Sequence, residues 1–205
     1  KMIQNRSPHE AMEHGIVLVP EDRKLQGILS NLDISDNINI SMLDKNSNSL
    51  GFVDAKKEEK IAEDGIKNFK IKTPSAKKKI VELSGGNQQK CIVARWISTN
   101  PKVLILDEPT KGMDAEYKEE LGEILKKLQQ HGITIFMISH DVEFVAEYAD
   151  RVGLFFEGNI VTNKETREFF AGNSFYTTAA NRMARQFFPG AVTGRDVVKC
   201  LKGRN

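Results

Sequence analysis

Apolar runs that alternate with amphipathic helices predict an α/β fold, a parallel sheet covered by helices. Three stretches carry that expectation. GIVLVPED (15–22), KVLILDEPT (102–110) and ITIFMISHD (133–141) each run apolar and then end in acidic or other polar residues. Between the last two, AEYKEELGEILKKLQQHG (115–132) has helical apolar spacing and stops at a glycine. Strands that are apolar throughout belong to sheets buried on both faces. In such sheets chemistry gathers beyond the carboxyl ends of the strands. Asp107, Glu108 and His140 stand at two such ends.

Taken in order, the chain opens KMIQNRSPHE, which has no signal-peptide pattern and reads as though cut from something longer. The first apolar run follows. From about 28 to 99 the pattern is helical with breaks. NLDISDNINISML offers Asp and Ser as helix caps. DAKKEEKIAEDGIKNFKI (54–71) sets Ile61, Ile66 and Phe69 on one helical stripe beneath a charged face. KTPSAKKK is a loop, and VELSGGNQQKCIVARWISTN opens another helix. After the two later strands, VEFVAEYAD (142–150) reads as a helix. RVGLFFEGNIV (151–161) reads as a hairpin turning at Glu157-Gly158-Asn159. Phe169, Phe170, Phe175, Tyr176, Phe187 and Phe188 either pack a helical C-terminal appendage or form an interaction surface.

Composition narrows the function classes. A net charge of +2 over 205 residues is too small to argue for a nucleic-acid partner or an anionic membrane. The basic clusters KKEEK (56–60) and AKKKI (76–80) are short and read as solvated faces. Cys91 and Cys200 suggest no disulfide framework, and a reducing cytosol fits. The longest apolar run, ITIFMIS, is too short to span a bilayer.

Three short motifs carry chemistry. In LILDEP, Asp107 and Glu108 emerge side by side at a strand tip, where two carboxylates repel unless one holds a cation. One acid on Mg²⁺ and the next aimed at a water is the layout of a nucleotide hydrolase. A strand end followed by a helix cap is the bland alternative. In ISHD, His140 follows a buried strand and can donate to a phosphate oxygen or orient a water. In LSGGNQQ, Gly85 and Gly86 let the backbone approach an anion, Ser84 adds a hydroxyl, and the following helix offers free N–H groups.

The order and spacing of these motifs are more specific than any one alone. Ser84 precedes Asp107 by 23 residues, and Glu108 precedes His140 by 32. Here the sequence resembles the ATP-binding cassette family of ATPases: LSGGNQQ is similar to its signature motif, VLILDE to its Walker B strand, KGMD to its D-loop and ISHD to its switch histidine. The resemblance implies a partial P-loop NTPase core of RecA type (1–24 and 101–165), a helical signature subdomain (25–100) and a C-terminal helical tail (166–205). It implies ATP and Mg²⁺ as cofactors, with Asp107 on the metal, Glu108 polarising the water and His140 contacting the γ-phosphate. Ser84, Gly85, Gly86 and Gln88 would cap a phosphate presented by a second cassette packed head to tail, and Asp114 would couple the two sites. Glu21, in VPEDRK, stands where many relatives have the Q-loop glutamine. The implied partners are that second cassette and an integral-membrane permease, with no nucleic acid, at the cytoplasmic face of the membrane.

Two departures stand beside the resemblance. The phosphate cradle G-x-x-x-x-G-K-[ST] is missing, since no Gly-Lys dipeptide occurs anywhere in the sequence. The chain therefore reads as a fragment of a longer ATPase, with a catalytically silent remnant that completes a partner's site as the alternative. Further, SPHEAMEHGIVLVPEDRK and LSGGNQQKCIVARW resemble the second cassette of monosaccharide importers. ISHDVEFVAEYADRVGLFFEGNIV and the tail resemble energy-coupling factor ATPases of vitamin and metal-ion uptake, and the tail inclines the reading to that type. A non-transport cassette ATPase is the remaining rival, but no long coiled coil or basic arm supports it. With no lysine to meet a β-phosphate, residues 1–205 alone are expected to bind Mg-ATP weakly and hydrolyse almost none. Calorimetry showing micromolar binding would reveal an unrecognised site.

Overall fold

The computed structural model describes residues 4–203, which form two compact units dividing between Ile138 and Ser139. In the first unit a short helix α1 (Pro8–Glu13), capped by Ser7, leads into β1 (Ile16–Val19). A π turn (Arg23–Gly27) follows, then α2 (Ile34–Asn39), α3 (Leu43–Asn46) and α4 (Ala55–Asn68). Next come α5 (Gly85–Ser98), β2 (Val103–Asp107), α6 (Ala115–Gln130) and β3 (Thr134–Ile138).

The three strands form a parallel sheet in the order β1-β2-β3. Val17 pairs with Leu104 and Val19 with Leu106, and β2 continues the register into β3 with Leu104 beside Ile135 and Leu106 beside Met137. Those residues line one face, whose β1 and β2 members are buried, and α5 packs on β1 and α6 on β3. The opposite face is apolar but open: Leu18, Phe136 and Ile138 are 49%, 54% and 49% exposed. The expectation of a sheet buried on both sides is thus met on one side only among the described residues. The runs are apolar at every position because both faces are written for burial.

Helices α2, α4 and α5 pack together beside the sheet. The stripe of α4 differs from the expected one. Ala62, Gly65 and Phe69 are buried, while Ile61 and Ile66 flank them half-buried. The small residues decide this, because a Cβ at Gly65 would lie only 3.4 Å from both Ala94 and Ile38, so α4 closes tightly on its neighbours.

A buried polar network holds this helical part to the turn after β1. The Arg95 guanidinium donates to the Asn37 carbonyl (2.5 Å), the Gly27 carbonyl (2.7 Å) and Asn37 Oδ1 (3.0 Å). Asn37 Nδ2 in turn donates to the carbonyls of Leu29 and Asp33, and its Oδ1 accepts from the Leu29 N–H. Among the described residues no carboxylate neutralises Arg95; burial lowers its pKa to about 10, and the three oxygens take the place of water. Gly27 also lies directly against Ile92, to whose Cδ1 an added Cβ would come within 2.6 Å.

The second unit contains α7 (Val142–Tyr148), an antiparallel hairpin of β4 (Arg151–Phe156) and β5 (Asn159–Glu165), and helices α8 (Thr166–Ala171), α9 (Ala179–Ala184) and α10 (Gly194–Lys202). The hairpin turns where expected. Glu157 and Gly158 both have positive φ (47° and 80°), the left-handed pair of the tight turn that matches strand twist. Residues 139–165, expected with the core, group with the tail here. Phe169 and Phe170 meet edge to face at 5.1 Å and, with Val192, form a small core. The other aromatics divide from them: Phe175 and Phe187 are 85% and 68% exposed. Helix α10 opens with a capping box of Thr193 and Asp196. Its carboxylate, bound by Arg167 and the Thr193 and Val192 N–H groups, is held down at about 2.

Gly27→Ala is expected to force the turn off α5 and cost about 1–3 kcal/mol of stability, the usual penalty for overpacking. Ile92→Val in the same chain removes the clashing methyl and should recover most of that loss, as urea unfolding of the single and double variants would show.

Candidate functional site

The signature-like turn lies where the 3₁₀ turn Ile80–Glu82 hands the chain to α5. Ser84 takes the N-cap position with an exposed side chain, and its hydroxyl accepts from Asn87 Nδ2 at 2.9 Å. Capping satisfies part of the first turn and leaves the N–H groups of Gly85 and Gly86 directed out of the helix. Both glycines also make room for neighbours. A Cβ at Gly85 would sit 2.5 Å from Arg23 Nη2, and one at Gly86 would sit 2.6 Å from the ring of Tyr117. The carboxamide of Gln88 is committed within the chain. Nε2 donates to the carbonyls of Ile80 and Leu83, and Oε1 accepts from Arg23 Nε at 3.4 Å.

The two carboxylates stand at the tip of the central strand. Asp107 is the last residue of β2 and lies beside Ile138 in register. Glu108 follows with φ 43°, a left-handed conformation rare for a residue with a side chain, and its N–H donates to the Ile138 carbonyl at 2.9 Å. Strain of that kind gathers at functional sites. The chain then turns through Pro109 to Gly112, where φ is 68°. Asp114 caps α6 by accepting from the Tyr117 N–H at 2.8 Å. Glu21, in the loop after β1, pairs with Lys111 between Glu108 and Asp114 in the chain, so its carboxylate is engaged by a cation of its own chain. That contact, first its hydrogen bond, raises the Lys111 ammonium above its ordinary range. His140 belongs to the second unit, exposed just ahead of the Asp141 cap of α7.

Ser84, Gly85, Gly86, Gln88, Asp107, Glu108, Asp114 and Glu21 thus belong to one compact unit, and His140 to the other. Among the described residues no group of three or more His, Cys, Asp or Glu gathers as a cage for a metal ion. Mg²⁺ needs none, since it keeps several waters and takes one or two carboxylates with phosphate oxygens. Asp107, a hard oxygen donor at an accessible strand tip, fits that demand.

A family model for the ABC transporter matches residues 2–111, more than half of the chain. The chain belongs to the ABC transporter family. It is 44% identical over 160 residues to the ribose import ATP-binding protein RbsA of Clostridium tetani, covering 78% of this chain and 32% of that protein. It is 46% identical over 161 residues to the arabinose import ATP-binding protein AraG of Paraburkholderia xenovorans, covering 78% and 31%. The chain therefore spans about a third of the length of these curated relatives. Among solved structures, cbiO1 from Clostridium perfringens, part of the ABC transporter complex cbiONQ, superposes with a TM-score of 0.69 at 26% identity, over 90% of this chain and 69% of that one. The dimeric ABC transporter cassette MJ0796 shares the fold, with a TM-score of 0.65 at 24% identity over 78% of this chain and 66% of that one. The likeness to sugar importers read from the motifs thus has counterparts in the ribose and arabinose import proteins.

Several residues that lie against this turn or its helix carry no local sequence signal. Arg23 stands in the polar loop VPEDRK, and Tyr117 sits in an ordinary amphipathic helical pattern. Lys90, 3% exposed, pairs with Glu120 on α6 and donates to the Lys70 carbonyl at 3.3 Å. Lys72–Glu116 and Lys70–Glu123 flank that pair, so three acids at i, i+4 and i+7 of α6 face three lysines. The spacing of Glu116, Glu120 and Glu123 was a readable signal, but the lysines lie on other elements, which only folding brings together.

The bond from Lys90 holds the Glu120 carboxyl below its ordinary range. A depressed carboxylate adds stability that is present above the unfolded pKa and is lost as pH falls through the folded one. Glu120→Gln should leave Lys90 buried without a counter-charge, costing on the order of 3 kcal/mol at neutral pH. It should also flatten the acid limb of the stability curve, as urea unfolding from neutral pH to about pH 3, past the carboxylate range, would register.

Proposed function

We propose that this chain is part of the ATP-binding and hydrolysing cassette of an ABC importer, coupling ATP turnover to solute uptake. The observation that carries the reading is Ser84, exposed at the opening of α5 in the same unit as Asp107 and Glu108 at the tip of β2. A turn that can grip a phosphate and a carboxylate pair that can serve a hydrolytic water are the two halves of a shared nucleotide site. In this reading the site is completed when two cassettes meet head to tail. Sugar import is the favoured cargo class, because the ribose and arabinose import proteins are similar to this chain over more than three quarters of its length. The open apolar face of the sheet and the one-third span of those relatives support a longer cassette, whose remainder would contribute the P-loop.

The working partners in this reading are a second cassette and an integral-membrane permease. The permease would be met by the helical part and the loop after Glu21, at the cytoplasmic face. No helix among the described residues is long and apolar enough to cross a membrane. Mg²⁺, when bound, would neutralise charge on the transferring phosphoryl group, with Asp107 as its protein ligand. Glu108 would accept a proton from the attacking water or orient it, its position fixed by the backbone bond to Ile138. Ser84 and the N–H groups of Gly85 and Gly86 would hold a γ-phosphate oxygen in trans. Asp114 would relay closure between the two sites, and His140 would contact the γ-phosphate.

In the full-length ATPase, Glu108→Gln is expected to slow hydrolysis by about 10²–10⁴-fold, the usual range for a general base. Mg-ATP should stay bound, and an ATP-dependent dimer should persist on size exclusion. Asp107→Asn should instead weaken nucleotide retention. Turnover at the parental rate by Glu108→Gln would move the base elsewhere and make His140 the first residue to test.

A further inference from the structure

We propose that Arg23 is a further phosphate-contacting residue of the signature site, acting beside Ser84 on the nucleotide that a second cassette presents. The inference rests on the trans-gripping reading given above and adds to it a residue from a different element. Arg23 opens the π turn after β1. Its guanidinium lies against Gly85, where the lack of a side chain leaves room for it, since a Cβ would be 2.5 Å from Nη2 and 3.1 Å from Cζ.

The guanidinium is held in place but left without a counter-charge. Gln88 Oε1 receives Nε at 3.4 Å, and Gln88 is itself fixed through Nε2 to the carbonyls of Ile80 and Leu83. From behind, Arg95 grips the Gly27 carbonyl, and the Ile28 N–H closes the turn onto the Arg23 carbonyl at 2.8 Å. The adjacent acids are spoken for: Glu21 pairs with Lys111, and Asp22 Oδ1 caps the N–H groups of Lys24 and Leu25. Among the described residues, Arg23 has no carboxylate within ion-pair distance. Tyr117, whose ring abuts Gly86, likewise keeps a buried hydroxyl with no hydrogen-bond partner.

This placement conflicts with local electrostatics. A cation at the positive end of a 14-residue helix is unfavourable unless an anion joins them. A phosphate oxygen resolves the conflict, because it can accept from the planar fork and from the helix N–H groups together. A local conflict that a ligand relieves marks a functional position. The loop after β1, proposed above to meet the permease, would then deliver one of the groups that grips the nucleotide.

The test uses the full-length ATPase in a Glu108→Gln background, with Mg-ATP as the probe and sedimentation velocity as the readout of dimer formation. Arg23→Gln is expected to raise the ATP concentration for half-dimerisation by about 10–100-fold, the weight of a charge-assisted hydrogen bond. Arg23→Lys should fall between, since it keeps the charge and loses the fork. ATP affinity of the isolated monomer and Tm should stay at parental values in both variants. Unchanged half-dimerisation in Arg23→Gln, while Ser84→Arg blocks the dimer, would overturn the role of Arg23 alone. Normal dimers from Ser84→Arg as well would overturn the trans-gripping reading beneath it. Equal losses in both Arg23 variants with a lowered Tm would assign Arg23 to folding and overturn the proposal.

Discussion

The buried Arg95 guanidinium is the interaction on which the signature turn depends. It leaves α5 to meet the backbone of Gly27 and both the backbone and side chain of Asn37, so one cation ties α5 to two elements 68 and 58 residues away in sequence. A buried charge satisfied only by neutral oxygens is costly to disturb, since loss of any oxygen leaves a group that water cannot reach. The turn after β1 is therefore held to the C-terminal part of α5, and the Arg23–Gln88 bond ties the same turn to the start of that helix beside Ser84, Gly85 and Gly86. Burial makes the Cys91 thiol unreactive by raising it to about 12.

A second set of contacts fixes the same helix to the strand that carries the carboxylates. Gly86 against Tyr117, and Lys90 against Glu120, set α5 on α6. Helix α6 begins at the Asp114 cap, six residues past Glu108. The glycines of this turn thus serve packing as well as the anion approach proposed for them. They allow an anion to approach the backbone, and they allow an arginine and a tyrosine to close on the helix start. Sequence reasoning saw only the first use, because close approach by Arg23 and Tyr117 depends on partners 62 and 31 residues away.

The sheet shows what a sequence states and a fold does not complete. Leu18, Phe136 and Ile138 occupy strand positions as apolar as those of the buried face, yet they are about half exposed. An apolar layer of this kind is ordinarily covered in parallel sheets. The second unit differs, because Val152 and Leu154 of β4 are half-buried against a small core of Phe169, Phe170 and Val192, while β5 is exposed at nearly every position.

The sequence by itself determined the strands, the long helices, the hairpin turn and the order of the motifs. Each of these follows from local rules: apolar runs for buried strands, helical periodicity for α4 and α6, and Glu157-Gly158 for a left-handed turn. Family membership was equally legible, because LSGG, LDE and their spacing are local text. Only the tertiary structure decided the rest. It turned Gln88 inward as a brace, paired Glu21 with Lys111, buried Ala62 and Gly65 in place of Ile61 and Ile66, and brought Arg23 to Gly85 without a carboxylate. Those outcomes depend on which side chains from distant segments compete for the same space and charge, and no local pattern in the chain records that competition.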